Sequence, residues 1–318
     1  MDVDLHQGPI TSRRAIWTWV DAWNAFWFAE IPPDLFAILR ILFGLVGCLT
    51  IVGLLNVQMF WTCSGLVASR GSSICGWSAA RGLGWLPGSF ILLSSSVSFL
   101  AMLIGYHTRV AVACAYISVT LLAKWNDLPL SAAHQALRAF LFCLVWADGG
   151  RVCSLDAILA GTVGQPKPVP IWPLRLIQIQ VAAIYLVTGL WKLNNVMWRD
   201  GSALHYVFEN PQFRRFAVLA SPSLDLWTTL ATYGTLVWEL SFAFLILHPR
   251  SRRLALAIGV AVHLSLWLLL ELGTFSWVML ASYVAFFDPR FVRQRLSAWA
   301  RTLVRIGLGE SRLLSSES

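Results

Sequence analysis

Long apolar stretches separated by short polar ones dominate the chain, and their length predicts helices. Eight windows stand out, at roughly residues 35–56, 89–106, 109–125, 131–147, 171–193, 224–247, 254–270 and 273–288, against the ~20 apolar residues that a full bilayer crossing needs. The first, fifth and sixth meet that length. The third, fourth and eighth are short, which predicts half-helices or tilted helices buried among the others. Ahead of the windows, Ile16, Trp19, Trp23 and Trp27 recur at helical spacing behind Arg13 and Arg14. That is the pattern of an amphipathic helix lying in the membrane interface, ended by Pro32 and Pro33. Asp21 and Asn24 interrupt its apolar run and no small-residue cleavage site follows, so it does not read as a signal peptide. Residues 290–308 form a basic amphipathic stretch suited to the inner surface, and the last five residues read as disordered. The chain therefore divides into an interfacial segment (1–34), a helical membrane domain (35–289) and a basic tail (290–318). The proline-rich run at 165–170 is a linker inside that domain, and no internal repeat is visible.

Composition narrows the class. Of 318 residues, 57% are hydrophobic and 13% charged, with 17 Trp and 18 Phe, and the mean hydropathy is +0.66. Soluble domains carry about 25% charged residues, so too little polar surface is left to cover a water-soluble globule. Six Cys in this length do not make a disulfide scaffold, and their spacing suits no metal. An all-α, polytopic integral membrane protein of about eight helices remains.

The net charge of +8 then reads as topology, not as a nucleic-acid footprint. With the N-terminus inside, 15 Lys and Arg fall on inner segments and seven on outer ones, counting Lys192 at a helix edge. The positive-inside rule favours N-in and C-in, as in a bacterial inner membrane. The outer segment at 57–88 holds Cys63 and Cys75, which either pair in an oxidising exterior or stand as two small unpaired residues.

Ionisable groups inside apolar windows cost about 2.5–3.5 kcal/mol each on insertion scales, which makes each a functional candidate. Arg40, His134, Arg138, Lys192, Glu239 and His263 fall there, from five different windows. Each has a plainer alternative. Arg40 and Glu239 suit a structural ion pair, His134 sits close enough to a window end to face water, and His263 suits a helix–helix hydrogen bond. Lys192, at the end of a long apolar run, suits either snorkelling to the interface or burial as a neutral amine able to act as a base.

Several blocks resemble one known family. Leu39-Arg40-Ile41-Leu42-Phe43-Gly44, Gly105-Tyr106-His107-Thr108-Arg109, and Trp146-Ala147-Asp148 with Ser154-Leu155-Asp156 are similar to successive motifs of the HTTM family. That membrane domain is shared by bacterial proteins and vitamin K-dependent gamma-carboxylase. More specific are the run from Tyr185 to Tyr206, with Gly189, Lys192, Leu193, Trp198 and Gly201 at family spacing, and Gly273 to Ala281 with His263 upstream. The resemblance spans about Leu35 to Gln294.

It implies a membrane enzyme in which Lys192 is the base acting on a reduced quinone, menaquinol or vitamin K hydroquinone. Epoxidation by O2 would be coupled to addition of CO2 or to a related reaction. His134, Glu239 and His263 would stand around Lys192, and Tyr185, Trp198, Tyr206, Phe275 and Trp277 would hold the quinone. There are departures: Trp191 replaces the first of two lysines, no histidine follows Trp125-Asn126-Asp127, and His134 is one residue out of register. The chain also ends soon after its last window, so carboxylation of a large protein substrate is not implied. The alternative is a non-enzymatic helper for maturation or export of a small peptide toxin, or a peptide- or lipid-binding membrane protein, with the bilayer as partner in either case. A transporter is less attractive, because no inverted pair of broken helices is apparent.

Overall fold

A computed structural model describes residues 19–55, 86–125, 131–163, 166–216 and 222–298. Among the described residues the fold is all-α apart from one two-residue strand pair. In chain order the elements are α1 (Trp19–Phe28), β1 (Glu30–Ile31), α2 (Asp34–Leu55), α3 (Leu86–Ile104), α4 (Thr108–Trp125), α5 (Ala132–Val145), α6 (Leu155–Leu159), β2 (Val169–Pro170), α7 (Trp172–Leu193), α8 (Val196–Arg199), α9 (Ala203–Glu209), α10 (Pro222–Leu245), α11 (Pro249–Leu269) and α12 (Phe275–Tyr283). A 3-10 turn, Val284–Phe286, continues α12, and residues 289–298 are again helical.

Each of the eight apolar windows coincides with a helix. Four of these, α2, α3, α7 and α11, are long and apolar enough to cross a membrane. The windows at 131–147 and 273–288 contain α5, 14 residues, and α12, nine residues. At 1.5 Å per residue these fall short of the ~30 Å of hydrocarbon. Burial explains how so short an α12 is held: it packs against α2, α5, α7 and α11, and most of its side chains are enclosed.

Close approach is built on small residues. A Cβ on Gly47 would enter the Phe99 ring, and one on Gly44 would press on the Leu103 backbone, so α2 and α3 pack nearly in contact. Hydroxyls within the apolar helices are satisfied along their own helix, as in Ser95 to the Ile91 carbonyl at 2.8 Å and Thr232 to that of Thr228 at 2.7 Å. Across helices, Thr50 and Thr274 hydroxyls meet at 2.7 Å and fix the start of α12 to the end of α2.

The strand pair ties the interfacial segment to the bundle. Glu30 pairs with Pro170 and Ile31 with Val169, antiparallel, inside the stretch expected to be a linker. Arg175 of α7 lies 4.6 Å over the Phe26 ring and anchors α1. The Trp-rich face of α1 is left outward, with Trp19 and Trp23 exposed. At the other end of the chain Arg293 reaches Asp34 at 3.4 Å. Ile16 to Thr18, Cys63, Cys75, the Trp125-Asn126-Asp127 neighbourhood from 126 to 130, and the tail beyond 298 lie outside the described residues.

Where α2 begins, α3 ends, α4 starts and α5 ends, three of the motif blocks converge. Arg40, fully buried, donates from Nη2 to the Cys153 carbonyl at 2.5 Å. Gly105 turns the chain with φ +73°, and a Cβ there would collide with the Arg40 guanidinium and Ser154. Asp156 accepts the His107 amide at 2.7 Å and the Thr108 amide at 2.8 Å. Burial pushes its carboxyl up, but the donors from Thr108 and His107 outweigh this and hold it below the ordinary carboxylate range. Arg40 therefore does not pair with Glu239, one of the two roles its sequence allowed. Its partner is a backbone carbonyl, which no side-chain pattern reveals.

Candidate functional site

Lys192 sits on a helix face that carries several of the site's polar groups. Tyr185, Thr188 and Lys192 are three and four residues apart on α7, so they stack along one face. Between them Gly189 lets α10 approach, since a Cβ there would press on Leu240 and Glu239. That contact aligns Glu239 of α10 with Lys192. Lys192 Nζ donates to Glu239 Oε1 in an ion pair, and the Thr188 hydroxyl stands 3.3 Å from Glu239 Oε2. The Lys192 ammonium also lies 4.7 Å from the Trp198 ring centroid. Trp198 is placed by α8, whose first turn is capped by Asn195 Oδ1 accepting the Met197 amide at 3.0 Å.

Lys192 thus meets a carboxylate on one side and a ring face on the other. The lysine is not solitary: its Nζ is paired with the Glu239 carboxylate. Glu239 is the more enclosed member, with 9% of its side chain exposed against 24% for Lys192.

Deeper in the bundle Tyr185 bridges two other helices. Its hydroxyl lies 2.6 Å from His263 Nε2 of α11 and 2.6 Å from the Tyr283 hydroxyl of α12. Tyr185 has one proton to give, so one arrangement of the chain runs from Tyr283 to Tyr185 to His263 and puts the histidine proton on Nδ1, which is buried without a partner among the described residues. Gly259 makes room for the Tyr283 hydroxyl. Trp238, Phe242 and Phe275 pack around the triad, and Phe275 meets the His263 ring edge-on at 5.6 Å.

Tyr185, Trp238, His263 and Phe275, with the Lys192–Glu239 couple, face a cavity of about 700 Å³. Its wall is mostly apolar, with Lys192, Glu239, Thr188, His263, Gln135 and Gln180 among its few polar groups. A concave, apolar space with a few convergent polar groups is the ordinary form of a small-molecule site. The segment after α7 forms its rim through Leu204, Val207 and Phe213. Three contacts hold that rim: the Glu271 amide to the Phe213 carbonyl at 2.7 Å, the Arg215 amide to the Leu269 carbonyl at 3.0 Å, and an Arg215–Glu271 ion pair at 2.8 Å. His205 adds a clasp between α9 and α10, meeting Glu209 at 3.2 Å and Asp225 at 3.0 Å.

Among the candidate catalytic residues, Lys192, Glu239 and His263 meet at this cavity, and His134 does not line it. His134 completes a capping box at the start of α5, where its Nδ1 accepts the Ser131 amide at 2.9 Å. Arg138, one turn on, bonds Gln135 at 2.8 Å. Among the proposed quinone contacts, Tyr185, Trp198 and Phe275 line the cavity. Tyr206 is half exposed against His205, and Trp277 packs on Trp267 at 5.2 Å. Sequence reasoning missed Thr188, Trp238, Phe213 and Tyr283. Thr188 was detectable from its place one turn before Lys192; Tyr283 carries no local signal.

A family model, the HTTM domain, matches residues 28–291. The chain belongs to the HTTM family. Among curated relatives, this HTTM protein is 28% identical over 145 residues to sporulation-delaying protein SdpB of Bacillus subtilis (strain 168), which is 44% of each chain. It is 29% identical over 119 residues to the uncharacterized protein YitO of the same organism, 36% of this chain and 38% of YitO. The chain thus spans less than half the length of the curated relatives it matches. No solved structure matches it.

Proposed function

We propose that this HTTM protein is a quinol-dependent membrane enzyme of the gamma-carboxylase type. In this reading it sits in a bacterial inner membrane, with all eight apolar helices embedded and both ends on the inner side. The observation that carries the proposal is the Lys192–Glu239 couple placed at the wall of a large, otherwise apolar cavity. The residues present fit a reduced quinone: Trp198 and Phe275 offer flat ring faces, Lys192, Glu239 and His263 offer polar contacts, and the apolar remainder suits an isoprenoid chain. Such a group supplies the reducing equivalents for O2 and, in the carboxylase chemistry, the strong base that precedes CO2 addition.

The protein's own part follows from the couple. In this reading Lys192 is the base that takes the quinol proton, and Glu239, bonded to it, orients its Nζ and balances the charge it then carries. Thr188 steadies the second carboxylate oxygen. The apolar wall excludes water, which would otherwise quench a strong base.

The test is hydroquinone-dependent O2 uptake and epoxide formation by the purified protein in lipid nanodiscs, offered menaquinol or vitamin K hydroquinone. Lys192→Ala should abolish both. Absence of any Lys192-dependent turnover with either quinol sinks the proposal.

One observation favours a second reading. The similarity to a protein named for delaying sporulation supports a helper role, in which the same cavity and outer rim serve maturation or export of a small peptide. A gene for a short secreted peptide next to this one, together with quinol-independent processing of that peptide, would select it.

A further inference from the structure

At the opposite end of α7 from the lysine lies a second hollow, of about 320 Å³, walled by Val145, Trp146, Trp172 and Pro173 and edged by Arg109 and Asp148. Asp148 is shared between two arginines. Its Oδ1 takes Arg109 Nη2 at 2.5 Å, and its Oδ2 takes Arg151 Nη2 at 2.7 Å and Nε at 3.1 Å. One carboxylate cannot neutralise two guanidinium groups, so the rim keeps a net positive charge. The nearby Asp156 keeps its negative charge, but the buried Arg40 guanidinium, which interacts with it, offsets that charge and leaves the excess of Arg109 and Arg151 over Asp148 in place. A guanidinium carries five N–H donors. Asp148 uses one of Arg109's and two of Arg151's, and these side chains are 65% and 40% exposed. Donors and charge are both left over, facing outward.

An aromatic stripe leads away from this rim. Trp172 meets Trp146 at 6.2 Å, Trp146 meets Phe142 at 6.4 Å, and Phe142 meets Tyr116 at 5.7 Å between ring centroids. Phe142 and Trp146 are one turn apart on α5 and are 46% and 51% exposed, so the stripe runs down the outside of the bundle. Tryptophan beside arginine at the ends of apolar helices is the usual composition at headgroup level. Here a hollow joins the two.

We infer that this rim and stripe bind one anionic phospholipid, with its phosphodiester on Arg109 and Arg151 and an acyl chain along Trp146 and Phe142. The positive excess selects an anionic headgroup. A choline or ethanolamine cation would find only Asp148, whose oxygens are already taken. The stripe selects a lipid over free phosphate, since an inorganic anion has no use for exposed rings. The site is separate from the quinol reading and does not depend on it.

Native mass spectrometry in detergent, titrated with phosphatidylglycerol or with phosphatidylcholine of the same chains, tests it. One phosphatidylglycerol should be retained with a several-fold preference. Arg151→Gln should weaken that retention about fivefold, the worth of one basic residue near a lipid surface. It leaves the Arg109–Asp148 tie between α4 and the turn after α5 in place, so the fold is not at stake. Trp146→Ala should weaken retention as well. Equal retention of both lipids, or no change in either variant, overturns the inference. So does stoichiometric binding of inorganic phosphate, measured by calorimetry, that proceeds without any lipid preference.

Discussion

The Lys192–Glu239 couple makes an energetic prediction that does not depend on which reaction the protein performs. Removing one member of a buried ion pair leaves a charge without its partner, at about 3–5 kcal/mol, whereas replacing both by apolar groups of similar volume is often neutral. Two features adjust these values here. Lys192 keeps 24% of its side chain exposed and has the Trp198 ring beneath it; the ring compensates about 0.5–2 kcal/mol of a lost partner. Glu239→Leu should therefore cost about 2–3 kcal/mol, below the full range. Glu239 is 9% exposed and would keep only Thr188 nearby, so Lys192→Met should cost about 3–5 kcal/mol. The double variant Lys192→Met/Glu239→Leu should lie within about 1 kcal/mol of the parent. Equilibrium unfolding in mixed micelles titrated with dodecyl sulfate reads all three. The decisive quantity is the non-additivity of the cycle. A double variant destabilised by the sum of the singles would show that the two residues do not act as a pair, and the site description above would fail.

Other predictions follow from the contacts around that couple and from the far junction. Tyr185→Phe removes the hydroxyl joining His263 to Tyr283 and should cost about 1–3 kcal/mol in the same titration, because it strands two buried polar groups; Tyr283→Phe should cost less, since Tyr185 still reaches His263. Gly105→Ala combines a left-handed backbone with a collision against Arg40 and Ser154, so it should exceed the ~1 kcal/mol of an ordinary glycine replacement and abolish monodisperse protein on size exclusion. Asp156 is held below its ordinary value of 3.8, so the unfolded chain binds its proton first as pH falls. Its contribution is complete above that value and is lost as pH drops through the lower native one, and Asp156→Asn should flatten the acid limb of stability against pH. His205→Ala should release α9 from Asp225, which hydrogen exchange over residues 203–209 would register as faster.

What could be read in one dimension was periodicity, length and chemical oddity. Apolar windows mark helices because a backbone in hydrocarbon must bond to itself, and all eight windows are helical in the fold. The short eighth window was legible as a buried fragment for the same reason: nine residues cannot span, so they must be covered by neighbours. Lys192 was conspicuous because so few charges fall inside the windows. Pairings were much less legible. Glu239 stands 47 residues from Lys192, and what joins them is Gly189, whose missing side chain sets the distance between two helices. The aromatic wall was half legible, with Trp198 and Phe275 in place but Tyr206 and Trp277 packed elsewhere, since motif spacing does not say which way a ring turns.

His134 shows that an expensive residue in an apolar window can also serve its own helix. The insertion cost that singles out such residues counts the bare group, and a local backbone amide offsets part of it by bonding one ring nitrogen, while His134 Nε2 stays buried without a partner among the described residues. Ser131 supplies that amide at 2.9 Å, and the resulting cap starts α5 beside the 126–130 region. Lys192 differs in kind. Its compensation comes from another helix and from a ring placed by a third element, and the compensated pair then faces open apolar space. A purely structural ion pair would gain from being closed over, because every exposed face of the couple then loses its competition with water. Here α7 and α10 bring the charges together and leave a cavity of about 700 Å³ in front of them, an arrangement that makes sense when something other than water enters. That asymmetry separates the two sites: the ionisable pair of the α7–α10 face borders a cavity, whereas His134 caps the start of its own helix.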